Sequence, residues 1–549
     1  MPDETADATP ARDAQRPFVL ALDIGTSSVR AALYDARARE VEGTQSRLAR
    51  RFRATSDGGA QTGAEEAAGE VLRVIASALA RAPSVSTIDA LAVSCFWHSL
   101  VGVDEAGRAL TPVYAWADTR AALHAELLRE RLDERATHAR TGCRLHASYW
   151  PAKLLRLKHE QPDTFPRVAR WMSFSDFLMQ RLCGTHATSV SMASATGLFD
   201  QRACAWDAPL VEFLNLRHEQ LSPVAFDGES FTLRRDAAAR FPSLKSARVF
   251  AAIGDGAANN VGEGCTTRAR AALMVGTSAA MRVIYEGDPP DELDPALWCY
   301  RLDRRRVVTG GALSDGGGLF DWMRRTLALD SVVKDSPPRF DSSASSVAEF
   351  ASSVQQSAST VPESLIAVEE FERELAALAP DAHGLTVLPF WSGERSTGWH
   401  AHAAGAILGL SEHTRAAEIL RASLEAVAYR LAAVARALDT QAPGAEVHAS
   451  GGALRRSRVW AQIIADTLNR PLRFSRVREA SSRGAALLAL ACVGAIKSVD
   501  EIETTAGETV EPDAARHAVY VRGQERQRKF YELLVEDQKV ARVLLNSSG

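Results

Sequence analysis

Two aspartates stand where a carboxylate can do chemistry. Asp255 lies in Ala252-Ile253-Gly254-Asp255-Gly256-Ala257-Ala258-Asn259-Asn260, directly after the apolar run Val249 to Ile253 and with no obvious charge partner nearby in sequence. Small neighbours let backbone and ligand approach closely, and a carboxylate at a strand end can face a cleft as a base or a metal partner. An ordinary Asp-Gly turn is the plain alternative. Asp23 opens Asp23-Ile24-Gly25-Thr26-Ser27-Ser28, which joins the apolar run Phe18 to Leu22 to a second apolar run, Val29 to Tyr34. This reads as a hairpin whose polar turn offers backbone N–H groups and hydroxyls to a phosphate, while Asp23 can hold magnesium through water. A plain hairpin turn has the same pattern, and the glycine-lysine signature of a P-loop is absent.

The same arrangement returns later in the chain. Ala272 to Val275 leads into Gly276-Thr277-Ser278 and then a further apolar run, Ala279 to Tyr285. Two such hairpins suggest a duplicated architecture in which paired domains face each other across a cleft. A nucleotide's phosphates would then lie between the two turns. Between them come Ser94-Cys95-Phe96-Trp97-His98-Ser99 and Tyr114-Ala115-Trp116-Ala117-Asp118-Thr119-Arg120. Aromatic faces beside His, Asp and Arg suit a polyol, which needs both stacking surface and directional hydrogen bonds. Core packing and a loop ion pair would account for each of these residues singly.

Other segments position this chemistry. Val307 to Leu313 reads as a strand that enters the glycines of Ser314-Asp315-Gly316-Gly317-Gly318. Ala416 to Leu438 carries Leu420, Leu424, Val427, Leu431, Val434 and Leu438 alternately four and three apart, a helix with one buried stripe. It leads to the β-like Glu446 to Ala449 and the turn Ser450-Gly451-Gly452-Ala453. That glycine pair either lies flat against an adenine or ribose or makes a tight strand-to-helix turn. A last helix near Arg483 to Val493 ends at Gly494, which suits a C-terminal cap.

A chain of 549 residues exceeds one compact core, so two large or three smaller domains are expected. A net charge of -4 and the lack of a long basic block argue against nucleic acid. The seven scattered cysteines, with no C-x-x-C pair, read as reduced thiols of a cytoplasmic protein. No secretory signal is legible, and the longest apolar run, Ala485 to Ile496, is shorter than the ~18 residues of a membrane span. The expected division is a disordered tail over 1–17, domains over 18–249 and 250–497, a Ser-rich insertion at 334–360 within the second, and a tail over 498–549.

Taken together, these residues resemble the FGGY family of carbohydrate kinases from about Phe18 to about Ala495. The most specific piece is Gly405-Ala406-Ile407-Leu408-Gly409-Leu410 followed by Glu418-Ile419 and Ala422-Ser423-Leu424-Glu425, and the hairpins, Asp255 and the Gly451-Gly452 turn fall in the family's order. The resemblance implies an α/β fold of two actin-like (ribonuclease-H-like) domains facing each other across a nucleotide cleft, with ATP and Mg2+ as cofactors. It implies Asp255 as the general base, with Asp23 and Asp255 at the metal. It further implies Thr26, Ser27, Gly276 and Thr277 on phosphates, and Gly311, Gly451, Gly452 and Ala453 beside the nucleoside. Trp97, His98, Asp118 and Arg120 would meet the sugar.

Within the family, the segments Trp97-His98-Ser99, Trp116 to Arg120 and Thr141-Gly142 to His146 look more like gluconate kinases than glycerol or xylulose kinases, and Arg120 or His146 would suit a gluconate carboxylate. Trp97 replaces the methionine usual in those relatives, and Arg156 replaces a tryptophan common in the family. The expected activity is therefore ATP-dependent phosphorylation of a sugar or sugar acid at a terminal hydroxyl, gluconate preferred. A xylulose, other pentulose or polyol kinase is the first alternative, and a non-catalytic actin-like sugar- or nucleotide-binding protein the second. The partner expected is a small molecule, neither nucleic acid nor membrane, and a homodimer stays open as the assembly.

Overall fold

The computed structural model describes residues 8–327, 372–502 and 506–537. The Ser-rich stretch 334–360 and the first seven residues lie outside the described residues. Two twisted sheets form the frame, each with its own apolar core. In the first, Val19–Ile24 pairs antiparallel with Ser28–Tyr34 on one side and parallel with Ala90–Cys95 on the other. Ala90–Cys95 in turn pairs parallel with Arg248–Phe250 and then Ile253–Gly254. In the second, Arg270–Val275 pairs antiparallel with Ala279–Glu286 and parallel with Glu446–Ser450. The hairpin-then-parallel-strand arrangement is thus built twice, as the repeated Gly-Thr-Ser pattern leads one to expect.

Register decides where the polar residues fall. Asp23 sits opposite Ser94, while Ile24 and Gly254 both sit opposite Cys95. Three chain segments therefore leave the first sheet at one edge, the carboxyl ends of parallel strands, where open α/β sheets bind ligands. Met274 sits opposite Ser450, which brings the second hairpin and the Gly451 turn to the matching edge of the second sheet. A third apolar cluster, with Trp150, Trp171 and Trp206, forms the core of a lobe between Leu100 and Leu221 that extends the first domain.

The helix over Ala416–Leu438 spans the residues its stripe predicts, and Leu420, Leu424, Val427, Leu431 and Val434 join the second core. The last helix, Ala480–Cys492, follows the second sheet in sequence yet packs on the first: Ala485, Ala486, Leu487, Ala489 and Leu490 belong to the first core. It crosses the helix Asp255–Gly262 at two glycines. A Cβ on Gly484 would meet the Ala258 carbonyl at 1.8 Å, and one on Gly262 would meet the Ala480 carbonyl at 1.9 Å.

The division of the chain accordingly departs from the expected boundaries. The first sheet runs on to Gly254, and 480–492 returns to it, because strand pairing and helix packing ignore sequence order. The expected tail over 498–549 contributes Ala506–Val510 as an edge strand of the second sheet. It also contributes the helix Ala514–Tyr531, which buries Tyr520, Gln527 and Tyr531. That helix is polar around most of its surface and anchored by a few large residues, so it carries no apolar stripe to read. Ahead of Phe18, Ala8–Thr9 pairs parallel with Glu40–Val41. All seven cysteines are free, and among the described residues no helix is long and apolar enough to cross a membrane.

The glycine crossing yields a test. Gly484→Ala forces backbone against backbone and is expected to cost about 2–3 kcal/mol or more in urea unfolding. Gly69→Ala, in the helix Ala64–Ala80 with nothing nearer its Cβ than Arg73 Nη1 at 3.8 Å, is expected to gain about 0.5–1 kcal/mol. Equal effects of the two changes would contradict the packing described.

Candidate active site

Asp23 and Asp255 line one cleft between the two sheets, with a volume of about 490 Å³. Asp23 is buried at the end of its strand, where Ser94 Oγ donates to Oδ1 at 3.2 Å and Arg30 Nη1 approaches Oδ2 at 3.4 Å. Arg30 is shared with Glu479, at 2.5 Å. Burial pushes the Asp23 carboxyl up to about 6; Arg30 opposes this, and the nearby Glu479 and Asp255 charges reinforce it. Asp255 is the first residue of the helix Asp255–Gly262, and its Oδ1 accepts from Gly256 N at 2.8 Å. Its side chain is partly open to the cleft, but the surrounding protein still raises its pKa by desolvation, against Arg282 first and the Gly256 N–H next. A carboxyl held above its usual range in a cleft suits a base that must take and release a proton near neutral pH.

Both hairpin turns reach this cleft. Gly25 N donates to Ser28 O, and Gly276 N to Ser278 O, each at 2.9 Å, closing tight turns whose tips carry Thr26 and Ser27 in one case and Thr277 in the other. Gly451 and Gly452 line the same cleft. Gly451 has φ +103, and a Cβ there would lie 2.2 Å from Val275 O, so the turn after Glu446–Ser450 can hug the second hairpin only as glycine. Gly311 and Ala453 are not among the residues that line the cleft. Gly311 sits in the second sheet opposite Met281 with Val434 and Ser396 against it, and Ala453 is buried with its Cβ towards Gly317.

One side of the cleft is aromatic, with Trp97, His98, Trp116, Trp298 and Tyr300. Trp97 lies flat across the Asp255 turn: a Cβ on Gly254 would be 1.8 Å from its Nε1, and one on Gly256 would be 2.5 Å from its Cζ3. The small residues flanking Asp255 thus admit an indole ring. Its N–H donates to Ser191 O at 3.0 Å, and its ring contacts Trp298 and Tyr300, which stack on each other at 4.1 Å. His98 has φ +65, and such strain in a bulky residue persists only where its surroundings hold it. Here Lys153 Nζ, itself buried, donates to the carbonyls of His98, Ala115 and Ser148, tying three pocket segments together. His98 Nδ1 donates to Ala195 O at 2.5 Å, leaving Nε2 as an acceptor; burial and Arg395 keep its pKa well below the usual histidine range.

Besides Gly311 and Ala453, three further sequence candidates stand outside the cleft lining. Asp118 is buried, accepts from Ala60 N and grips Arg120, while Arg120 also donates to Gln61 Oε1 at 2.7 Å. His146 bonds the Glu394 carbonyl through Nε2 at 3.0 Å and is held neutral by burial. Trp116, from the same segment as Asp118, does line the cleft. The structure adds Asn259, Arg282, Trp298, Tyr300 and Arg395. Arg282 had a signal, a lone arginine inside the apolar run Ala279 to Tyr285. Arg395 had none, being in a loop without periodicity.

Away from the cleft, Asp381, His383 and Glu425 bring ligand atoms within 4.8 Å of one another. Arg526 and Arg421 already pair with the two carboxylates, and His383 bonds Glu425 through Nε2 while Nδ1 accepts from Leu385 N. The group is a saturated structural network. Asp23 and Asp255 instead offer only oxygen donors and face open space, which suits a hard cation such as magnesium.

Two glycine-tipped hairpins aimed from opposite domains at paired carboxylates, beside an aromatic pocket, define a phosphotransferase acting on a small polyol. Family models place the chain further: the FGGY carbohydrate kinase N-terminal domain matches residues 18–262, and the C-terminal domain matches 271–492. The protein belongs to the FGGY family of carbohydrate kinases. A gluconokinase of Bacillus subtilis is 25% identical, covering 90% of this chain and 91% of that protein. A glycerol kinase of Leptothrix cholodnii is 29% identical, covering 88% and 93%. Among solved structures, a xylulose kinase of Lactobacillus acidophilus matches with a TM-score of 0.80 at 22% identity, covering 95% of this chain and 99% of that one. A gluconate kinase of the same organism matches with 0.79 at 23%, covering 95% and 98%. The fold is the two-domain actin-like one.

The Asp23 pKa has a consequence for the ligand-free protein. The folded state holds a proton between about pH 3.8 and about 6 that the unfolded chain has shed, so Asp23 lowers stability as pH rises through that window. Asp23→Asn is expected to be more stable than the parent by about 1–3 kcal/mol at pH 8 without ligands, with the gain vanishing below about pH 4. Denaturant unfolding across pH checks this; a variant destabilised equally at both pH values would contradict it.

Proposed function

We propose that the protein transfers the γ-phosphoryl group of ATP to a terminal hydroxyl of a sugar acid, with gluconate the preferred acceptor. The observation carrying the reading is Asp255 at a helix start, facing a cleft it shares with Asp23 and both hairpin turns. Asp255 takes the acceptor's hydroxyl proton as that oxygen attacks phosphorus. N–H groups of the turns at Thr26, Ser27, Gly276 and Thr277 hold the phosphate oxygens, and Gly451 and Gly452 border the nucleoside. Asp23 and Asp255 would hold magnesium. When bound there, magnesium would supply positive charge to offset the charge that develops in phosphoryl transfer. Trp97, His98 and Trp116 position the acceptor and exclude water.

The gluconokinase of Bacillus subtilis supports the choice of acceptor, as do the arginines Arg282 and Arg395 in the cleft. The Escherichia coli xylulose kinase, 26% identical over 461 residues, supports the alternative of a pentulose or other neutral polyol. An ADP-release screen against gluconate, other aldonates, xylulose, ribulose and glycerol separates them. Gluconate is expected to give the highest kcat/KM. Activity confined to a ketose or glycerol would overturn the acceptor, and ATP binding without ADP release for any polyol would favour a non-catalytic binding protein.

A further inference from the structure

We propose that Arg395 receives the carboxylate of the acceptor, reaching across the cleft from the second domain into the pocket formed by His98 and Trp116. The inference rests on the sugar-acid reading above and adds the residue that enforces it. Arg395 is 8% exposed and lines the cleft with Asp255, Trp97 and Tyr300. Its guanidinium lies 5.2 Å from the Trp116 ring centre, and Nη2 is 3.4 Å from His98 Nε2, the lone pair left free by the His98 to Ala195 bond. Its Nε is buried with no hydrogen-bond partner, and among the described residues it forms no ion pair.

A nearly buried cation without a close ion pair is costly, and the carboxylate whose charge it offsets here, Asp255, acts only at a distance. Here its neighbours are a neutral imidazole and an aromatic face, which hold the guanidinium flat without neutralising it. Its planar fork matches a carboxylate in two parallel hydrogen bonds. The loop is fixed, so the fork is placed in advance. Glu394, the preceding residue, pairs with Arg430 and accepts from the Tyr531 hydroxyl at 2.7 Å, and Ser396 N donates to Ala312 O at 3.0 Å.

The other cations near the acceptor are already engaged. Arg120 is bound to Asp118 and Gln61. Lys153 spends its donors on three carbonyls. His146 is neutral, with Nε2 on Glu394 O and Nδ1 accepting from Ser148 N. Arg282 donates to the side-chain oxygens of Asn260 and Asn259 and is the foremost cationic influence on Asp255, which places it at the reacting end of the acceptor. The recognition of an aldonate's charged end thus moves from Arg120 and His146, the sequence candidates, to Arg395.

The test compares gluconate with gluconamide, which differs only in replacing the carboxylate by a neutral amide. The parent enzyme is expected to prefer gluconate by about 30-fold or more in kcat/KM. Arg395→Gln is expected to bring that ratio towards one, chiefly by raising KM for gluconate, while Arg395→Lys keeps part of it. If Arg395→Gln fails to fold, the ratio in Arg395→Lys decides, with a drop of about threefold to tenfold expected. An unchanged ratio in the variants, or a loss expressed in KM for ATP instead of gluconate, overturns the role of Arg395 while leaving the sugar-acid reading intact. Failure of the parent enzyme to use any aldonate overturns that reading, and the role of Arg395 with it.

Discussion

The site depends on one constraint: two carboxylates must be held ionisable in a cleft where burial disfavours their charged forms. Desolvation raises both, and the Asp255 charge raises Asp23 further. The fold offsets this with cations that approach from the side. Arg30 serves Asp23, and Arg282 and Arg395 serve Asp255. None of these forms a close, closed ion pair with its carboxylate; Arg30 remains 3.4 Å from Asp23 and leans on Glu479 instead. A tight pair would fix the carboxylate in its charged form and occupy the oxygens that a cation or a proton must reach.

Strand register meets the geometric half of the same constraint. Parallel pairing of Ala90–Cys95 with both Val19–Ile24 and Ile253–Gly254 brings Asp23, Trp97-His98 and Asp255 to one sheet edge, although they are far apart in sequence. The helix Ala480–Cys492 then fixes the helix that starts at Asp255 by a crossing close enough to require glycine on both sides. The second sheet repeats the hairpin and parallel strand, and at the equivalent edge presents the glycine turn of Gly451 in place of Trp97 and His98. One topology used twice thus gives two sheet edges, one carrying Trp97 and His98 and the other the Gly451 turn, that line one cleft.

Much of this was legible in the sequence because it rested on local patterns. The paired Gly-Thr-Ser turns, the stripe of Ala416–Leu438 and the isolated Asp255 are all visible within short windows. What was hidden depended on long-range packing. The sequence suggests a close approach of a ligand at Gly254 and Gly256, but the atoms occupying that space belong to Trp97. Asp118 and Arg120 have sugar-binding residue types, yet satisfy each other behind the lining formed by Trp116. Helix Ala514–Tyr531 reads as a featureless tail, but its Tyr531 anchors the loop that carries Arg395.

The central claim is that Asp255 acts as the base in this cleft, and Asp255→Asn tests it most directly, since the amide keeps the shape but cannot take the proton. With saturating ATP, magnesium and the best acceptor, kcat is expected to fall by at least about a hundredfold while the variant still binds nucleotide. An Asp255→Asn enzyme that turned over at the parent's rate would contradict the account.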